Sequence, residues 1–449
     1  MKKVMVILGG GISGLSLRYF LSQKLPDASI ILLEKSNRLG GVIDAIDEKG
    51  FFFERGPRTF KASRSLSLLK LIKKLGLSAD CMVAHSHVAK RYLLQNDTLR
   101  LLPTRFPQAL LSPITWRLLP GLVRDIWGSR SQIEDESIAS FATRHFGAYV
   151  ANTLFAPLTL GIYAGDSHLL SVSACFPRLK ALEKEHASLI RAQFKQKRTN
   201  TWDYPFPRSA LLTLKGGMHR LSQALAKQGQ GEIRLNCPAL EISLKQKRPI
   251  VKVAGGIIEA DHICYALPPF ALSSLLISCP PILEFCKKLD LACLSVIHLG
   301  YDQAVLRHSG FGYLTMPSDR NKLLGVVFDS EIFPEQNRHI NQTRLSVMVK
   351  GALSKEEHAL DFVFDALKRH LNIQIDPTFI EISRYPSTLP QYRIGHVQRV
   401  ACLEEQISKN YPPLTLVGNF LEGVSVNDCI ALAEKKCSQI QKKMSTSLL

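Results

Sequence analysis

The chain has 449 residues, 46% hydrophobic, 8% aromatic and 21% charged, which is ordinary globular composition with enough length for a substantial core in two or three domains. No run of about 18 uncharged apolar residues occurs, which argues against a transmembrane helix. The formal charge of +19 asks for an anionic partner or many solvated basic faces, and the basic residues are scattered in small groups without a zinc finger, RNA-binding signature or basic heptad repeat, which speaks against nucleic acid.

The opening stretch MKKVMVILGGGISGLSLRYF admits two readings. A signal peptide needs an apolar stretch of roughly 7–15 residues and a small-residue cleavage site. Here only Val4 to Leu8 precede the glycines, Arg18 interrupts the apolar residues after them, and no A-x-A-like site appears. The second reading fits better. Residues 4–8 form a continuous apolar run, as in a strand buried on both faces of a parallel sheet. Gly9, Gly11 and Gly14 come next as G-x-G-x-x-G, then a helical pattern up to Pro26, a second apolar run at 30–33, and Glu34. The first glycine makes the tight turn and the second lets backbone amides approach a pyrophosphate. The third lets helix and strand pack, and the acid accepts hydrogen bonds from a ribose.

Beyond Glu34, Arg38-Leu39-Gly40-Gly41 reads either as a second pyrophosphate contact or as a plain surface turn. Residues 100–200 read as helical. Within them Leu118, Leu119, Leu122, Val123, Ile126 and Trp127 recur at helical spacing, with Trp116, Arg117, Arg124 and Arg130 alongside. That composition suits an interfacial helix on an anionic bilayer and equally a core helix between domains. From about 205 strands return: LKGGMHRLSQALAK is a turn and helix, and short strand runs continue to about 265. The ending PLTLVGNFLEGVSVNDCIALAEKKC is a strand, a glycine-bearing loop and a helix, so the chain comes back to its first domain. The ten cysteines show no C-x-x-C pairing, and free thiols without a metal site are the expectation.

The stretches GGGISGLS, EKSNRLGG, FFFERGPRTF, GIYAGDSHLLSVSACFP, LKGGMHRL, GFGYL, FDSEIFPEQ and LTLVGNFLEGVSVNDCI run in this order over almost the full length. They resemble the protoporphyrinogen oxidase family, flavoproteins of late heme synthesis within the wider amine-oxidase-like group. The resemblance implies an α/β fold: a discontinuous Rossmann-type FAD domain (1–85, 205–280 and 395–449), a helical lobe at 86–204 that touches the membrane in relatives, and a mixed-sheet substrate domain at 281–394. It implies FAD as cofactor, with Gly9, Gly10, Gly11, Ile12, Ser13 and Gly14 on the pyrophosphate and Glu34 on the adenosine ribose. Lys35, Arg38, Gly40, Gly41, Val42, Gly56, Pro57, Arg58 and Thr59 would flank the cofactor. Ala239 would meet the adenine, and Val424, Ser425 and Val426 would lie along the flavin. On the substrate side Arg91 matches a position used for a propionate, and Gly161, Phe311, Gly312, Leu314 and Met348 match positions that shape a tetrapyrrole slot. Without the resemblance, Arg91 reads as an exposed arginine and Phe311, Leu314 and Met348 as core. No acid–base residue is named.

The implied reaction is oxygen-dependent removal of six hydrogens from a porphyrinogen by a cytoplasmic monomer or homodimer, with peripheral contact on an anionic membrane left open. Protoporphyrinogen IX and coproporphyrinogen III both fit. Val42, Val397 and Phe420 depart from residues found in some relatives, which puts the pocket's shape in question. A flavin amine oxidase, a nicotinamide dehydrogenase and a non-catalytic flavoprotein are the rivals. The family-specific ending weighs against the first, and the absence of a second nucleotide fingerprint against the second.

Overall fold

The computed structural model describes residues 2–102, 113–127, 131–195, 202–244, 248–276, 279–317, 322–353 and 360–446. Val4–Leu8 is the central strand of a five-stranded parallel sheet. It pairs on one side with Ser29–Leu33, which pairs in turn with Glu232–Arg234. On its other side lie His262–Tyr265 and then Leu414–Leu416. Met5, Val6, Ile7 and Leu8 are fully buried because helices cover both faces of the sheet, as parallel sheets require. Each such side chain contributes roughly 1.5–3 kcal/mol through burial. Helices Ile12–Lys24 and Val426–Thr446 pack on this sheet within one core, so the last strand and helix do return to the first unit.

A second sheet of seven strands runs in the order 379–391, 290–301, 343–350, 323–327, 312–315, 91–95 and 98–102. All its pairings are antiparallel except that of Gly312–Thr315 with Arg91–Gln95. The hairpin at its edge lies inside the 86–204 stretch read as a helical lobe. Asn96 and Asp97 both adopt left-handed backbone, which closes a two-residue turn and lets RYLLQ and TLRLL pair. The helical segments begin beyond it, at Pro113–Ile126, Ile138–Val150, Ala156–Tyr163 and Pro177–His186.

Arg344, fully buried in this second sheet, ties the hairpin 45–54 to it. Its guanidinium donates to the Phe52 carbonyl at 2.6 Å, Asn337 Oδ1 at 2.7 Å and the Phe333 carbonyl at 3.0 Å. Burial pushes its pKa down to about 10.

The Trp-bearing helix 113–126 is docked by its polar side. Asp125 is fully buried and accepts from Ser188 Oγ at 2.7 Å and the Ile190 amide at 2.8 Å, with the His145 ring at 2.5 Å. Its apolar side faces outward: Trp116 is 60% exposed and Val123 54%, and Trp127 just beyond the helix is 84% exposed. The core alternative for this helix is therefore not what the fold adopts. The Leu118 side chain and Arg130 lie outside the described residues.

Candidate active site

The glycine turn sits where strand 4–8 enters helix 12–24. A Cβ on Gly14 would stand 2.0 Å from the Gly9 carbonyl oxygen, so only glycine lets the helix approach the strand this closely. A Cβ on Gly11 would meet nothing within 4 Å, so the turn opens outward at that residue. Helix 12–24 has no capping side chain and no acid in its first turn. Its unpaired amides face that opening, which suits an anion.

Glu34 stands against the same turn. Its Oε2 accepts from the Gly10 amide at 2.7 Å, and Oε1 accepts from the Ser36 amide and hydroxyl at 2.9 and 2.8 Å. A carboxylate has about four acceptor sites, so Oε2 keeps one for a further donor. The Cys237 amide donates to the Glu34 carbonyl, which brings the segment carrying half-buried Ala239 alongside. Lys35 is exposed at the rim.

Gly40 and Gly41 fold over the turn. The Gly40 amide donates to the Gly10 carbonyl at 2.8 Å, and a Cβ on Gly41 would lie 3.2 Å from the Gly11 Cα. Arg38 points elsewhere: it donates to the Gly41 carbonyl at 2.8 Å and pairs with Asp44 at 3.6 Å. With Gly41, Val42, Arg55 and Glu381 it lines a polar cavity of about 370 Å³. Gly56 packs on the Val42 carbonyl, where a Cβ would be 2.0 Å away.

From the far end of the chain, Ser425 caps helix 426–446. Its hydroxyl accepts from the Asp428 amide at 3.1 Å, and the Asp428 carboxylate accepts from the Ser425 amide at 3.3 Å. Val426 is buried in the same core as Ile12, and the Ser13 hydroxyl reaches the Cys429 thiol. Val424 packs against the buried cluster that holds Tyr163 and Tyr392.

Arg58, two residues after Gly56, forms an ion pair with Asp329 at 2.9 Å, with both side chains about nine-tenths buried. Pro57 and Thr59 on either side are half-buried. Glu54 is 6% exposed and accepts the Met218 amide at 2.7 Å, capping helix 219–228. Among the described residues, Glu54 Oε2 and Asp329 Oδ2 are buried without a hydrogen bond. Together with the open glycine turn, unpaired buried acceptors around Arg58 and Met218 leave groups that a large polar ligand would satisfy. These residues therefore fit a dinucleotide.

Asp329→Ala would leave the Arg58 cation buried and unpaired. We expect it to lower unfolding free energy by about 3–5 kcal/mol, read as a shift in the urea midpoint. A loss below about 1 kcal/mol, the scale of an exposed pair, would show that water screens it.

The substrate-side residues meet on the seven-stranded sheet. Leu314 lies opposite Gly325, and Gly325 opposite Met348, so the three share one row across a face. Both side chains are half-buried, and Leu314 leans over Gly325, where a Cβ would stand 3.2 Å from the Leu314 Cδ2. Gly161 of helix 156–163 closes on this row: a Cβ there would come within 2.6 Å of Leu314. Phe311, just before Gly312, packs with Met348 against Val88, Val327, Ile332 and Phe333. The Arg91 guanidinium carbon sits 4.7 Å from the Phe311 ring centre. The row makes a shallow apolar dish with a cation at its edge.

Sequence reasoning missed Gly325, Asp329 and the role of Glu54. Glu54 belongs to FFFERGPR, whose run of phenylalanines ending in an acid is its only local signal. Asp329 is 271 residues from its partner and has no local signal.

The profile of the flavin containing amine oxidoreductase family matches residues 12–440. Protoporphyrinogen oxidase of Homo sapiens is 32% identical over 465 residues, covering 96% of each chain. That of Bos taurus is 30% identical over 482 residues, covering 98% of each. Coproporphyrinogen III oxidase of Bacillus subtilis (strain 168) is 26% identical over 455 residues, covering 96% of each. Among solved structures, one from Exiguobacterium sp. 255-15 matches with a TM-score of 0.84 at 24% identity over 99% of each chain. Reduced UDP-galactopyranose mutase matches with a TM-score of 0.73 at 15% identity, over 98% of this chain and 95% of its own. A fold shared that widely indicates architecture and leaves the substrate to the site.

Proposed function

The chain belongs to the flavin-containing amine oxidoreductase family, and from that premise we propose that it is an FAD-dependent porphyrinogen oxidase acting on protoporphyrinogen IX. The observation that carries this reading is the near-full-length kinship with the human and bovine protoporphyrinogen oxidases, which spans both the glycine turn and the apolar dish. Bound at the turn, the flavin supplies two-electron oxidation; three rounds remove six hydrogens from the porphyrinogen, and three molecules of oxygen leave as hydrogen peroxide.

The chain's own contribution is binding and orientation. Amides of Gly11 to Gly14 hold the pyrophosphate at the uncapped helix end, Glu34 takes the ribose, and Ala239 borders the adenine. Residues 56–59 and 424–426 border the ring system. Leu314, Met348, Phe311 and Gly161 offer an apolar wall for a macrocycle, and Arg91 takes a propionate. Holding the reacting carbon in place against the flavin needs no protein base, since the porphyrinogen is electron-rich and positioning accounts for much of the rate.

The test is anaerobic. Purified protein should be yellow, should bleach with protoporphyrinogen IX, and on admission of air should release fluorescent protoporphyrin. No flavin in the purified protein, or flavin left oxidised by every porphyrinogen, overturns the reading. Coproporphyrinogen III run side by side identifies the preferred substrate.

The outward face of helix 113–126, with Trp116, Trp127, Arg117 and Arg124, supports peripheral docking on an anionic bilayer. Among the described residues no helix is long and apolar enough to cross a membrane. We expect the protein to co-sediment with vesicles containing anionic lipid and Trp127→Glu to weaken this severalfold; equal sedimentation with neutral vesicles would remove the electrostatic part.

A further inference from the structure

We infer that Lys61 and Arg64 extend the Arg91 position into a three-cation rim that grips the two propionates of the substrate at the edge of the apolar dish. The inference rests on the porphyrinogen reading above and names residues that neither the motif nor the relatives assign.

The placement comes from register. Strand Phe60–Lys61 pairs with Leu211–Leu214, and Lys61 lies directly opposite Leu211. Directly opposed residues share a face of the sheet. Leu211 packs into the cluster that holds Phe311 and Met348, so Lys61 borders the dish. The 3-10 turn Ala62–Arg64 begins at the next residue. Residues three apart in such a turn eclipse one another, which returns Arg64 to the side of Lys61. Arg91 reaches the same place from the neighbouring sheet, over the Phe311 ring. Partial burial and the charges of Arg64 and Arg91 push the Lys61 ammonium below its ordinary pKa, as expected when three cations converge.

All three side chains are exposed. Among the described residues, none of the three is within ion-pair distance of a carboxylate. Glu331 and Glu335, the acids on the adjoining helical turns, are paired with His87 and His85. Like charges held together without counterions raise the local potential and cost stability. They are repaid when anions bind between them. A porphyrinogen carrying two propionates on neighbouring pyrroles brings two carboxylates on one edge of a flat apolar ring. Three donors can hold both at once while the ring lies on Leu314 and Met348.

The experiment compares wild type with Lys61→Ala/Arg64→Ala and with the charge-conserving Lys61→Arg/Arg64→Lys. Turnover of protoporphyrinogen IX and of its dimethyl ester is measured, and binding of protoporphyrin IX is titrated by its fluorescence at low and high salt. For the double alanine variant we expect KM for the free acid to rise roughly tenfold with kcat little changed, the scale of one lost charge-assisted contact. Its salt dependence should flatten, the ester should be indifferent to the change, and the charge-conserving variant should recover most of the loss. Two failures are separable. Turnover in wild type with equal binding and equal salt dependence in all variants sinks the rim alone. Salt-dependent binding that the alanines weaken, without any turnover, sinks the oxidase reading and leaves an anion rim. In wild type itself, an ester bound as tightly as the acid overturns the rim whatever the variants do.

Discussion

Gly14→Ala should yield a protein with little flavin and a lowered melting temperature, whereas Gly11→Ala should lose flavin and keep its melting temperature in the apo form. The added methyl at Gly14 lands 2.0 Å from the Gly9 carbonyl oxygen and 3.4 Å from the Ile7 side chain. Both are fixed: Gly9 belongs to the turn and Ile7 to the fully buried central strand. The helix must retreat from the sheet, and overpacking of this kind costs about 1–3 kcal/mol before any cofactor is considered. At Gly11 the backbone is extended (φ −74°, ψ −179°) and the methyl enters open space. Alanine is at ease there in the empty chain, so a loss of flavin would place the cofactor's approach on the open side of the turn. Absorbance near 450 nm after purification, set beside apo-protein melting curves, reads both effects. Gly11→Ala protein that retains a full complement of flavin would show that the cofactor does not use the open side of the turn.

The glycine-turn end of the site was legible as structure because its signals are local. Strand, turn, helix and Glu34 lie within 34 residues, and each has a steric or hydrogen-bonding reason visible in residue type alone. The closing strand at 414–416 was legible for the same reason, as an apolar run before a glycine loop. What depends on register or on distant pairing was not. The dish is a row of three residues from three strands, and Gly325 matters only because it falls between Leu314 and Met348. The hairpin 91–102 was folded into a helical stretch because its turn residues, Asn96 and Asp97, are also common in loops of any kind. Arg38 shows the limit from another side. Its position beside two glycines suggested a pyrophosphate contact or a plain surface turn, whereas the direction of its side chain is set by Asp44 and the Gly41 carbonyl. The Trp-bearing helix could be read either way until Asp125 was found anchoring its polar side.

Glu54→Gln should make the protein more stable at pH 8 and leave it nearly unchanged at pH 4.5. Burial pushes the Glu54 carboxyl up to about 8, against the opposing pull of the Met218 amide and the Arg58 charge. The unfolded chain releases that proton near its ordinary value of 4.5. Between these two pH values the folded protein holds one proton more than the unfolded chain. A folded pKa above the unfolded one contributes stability that is complete below about 4.5 and is lost as pH rises to about 8. Glutamine carries no proton to lose, and its carbonyl can still accept the Met218 amide, so the cap on helix 219–228 survives. The gap between variant and wild type should therefore open with a slope of one proton and reach on the order of 3 kcal/mol by pH 7–8. Urea midpoints from pH 4.5 to 9 measure it, and parallel curves for the two proteins would mean that Glu54 is ionised in the fold. A neutral Glu54 also has a local consequence. The Arg58 cation, which stands between the Gly56 turn and Asp329, then answers to one carboxylate instead of two. That keeps Arg58 on the Asp329 side, and because Oε1 accepts the Met218 amide the proton sits on Oε2, which offers it to a ligand acceptor. The glutamine N–H stands in for that proton, so Glu54→Gln should be the more stable protein at pH 8 and hold flavin as wild type does; flavin lost from the variant would mean that the ligand needs the ionised carboxylate.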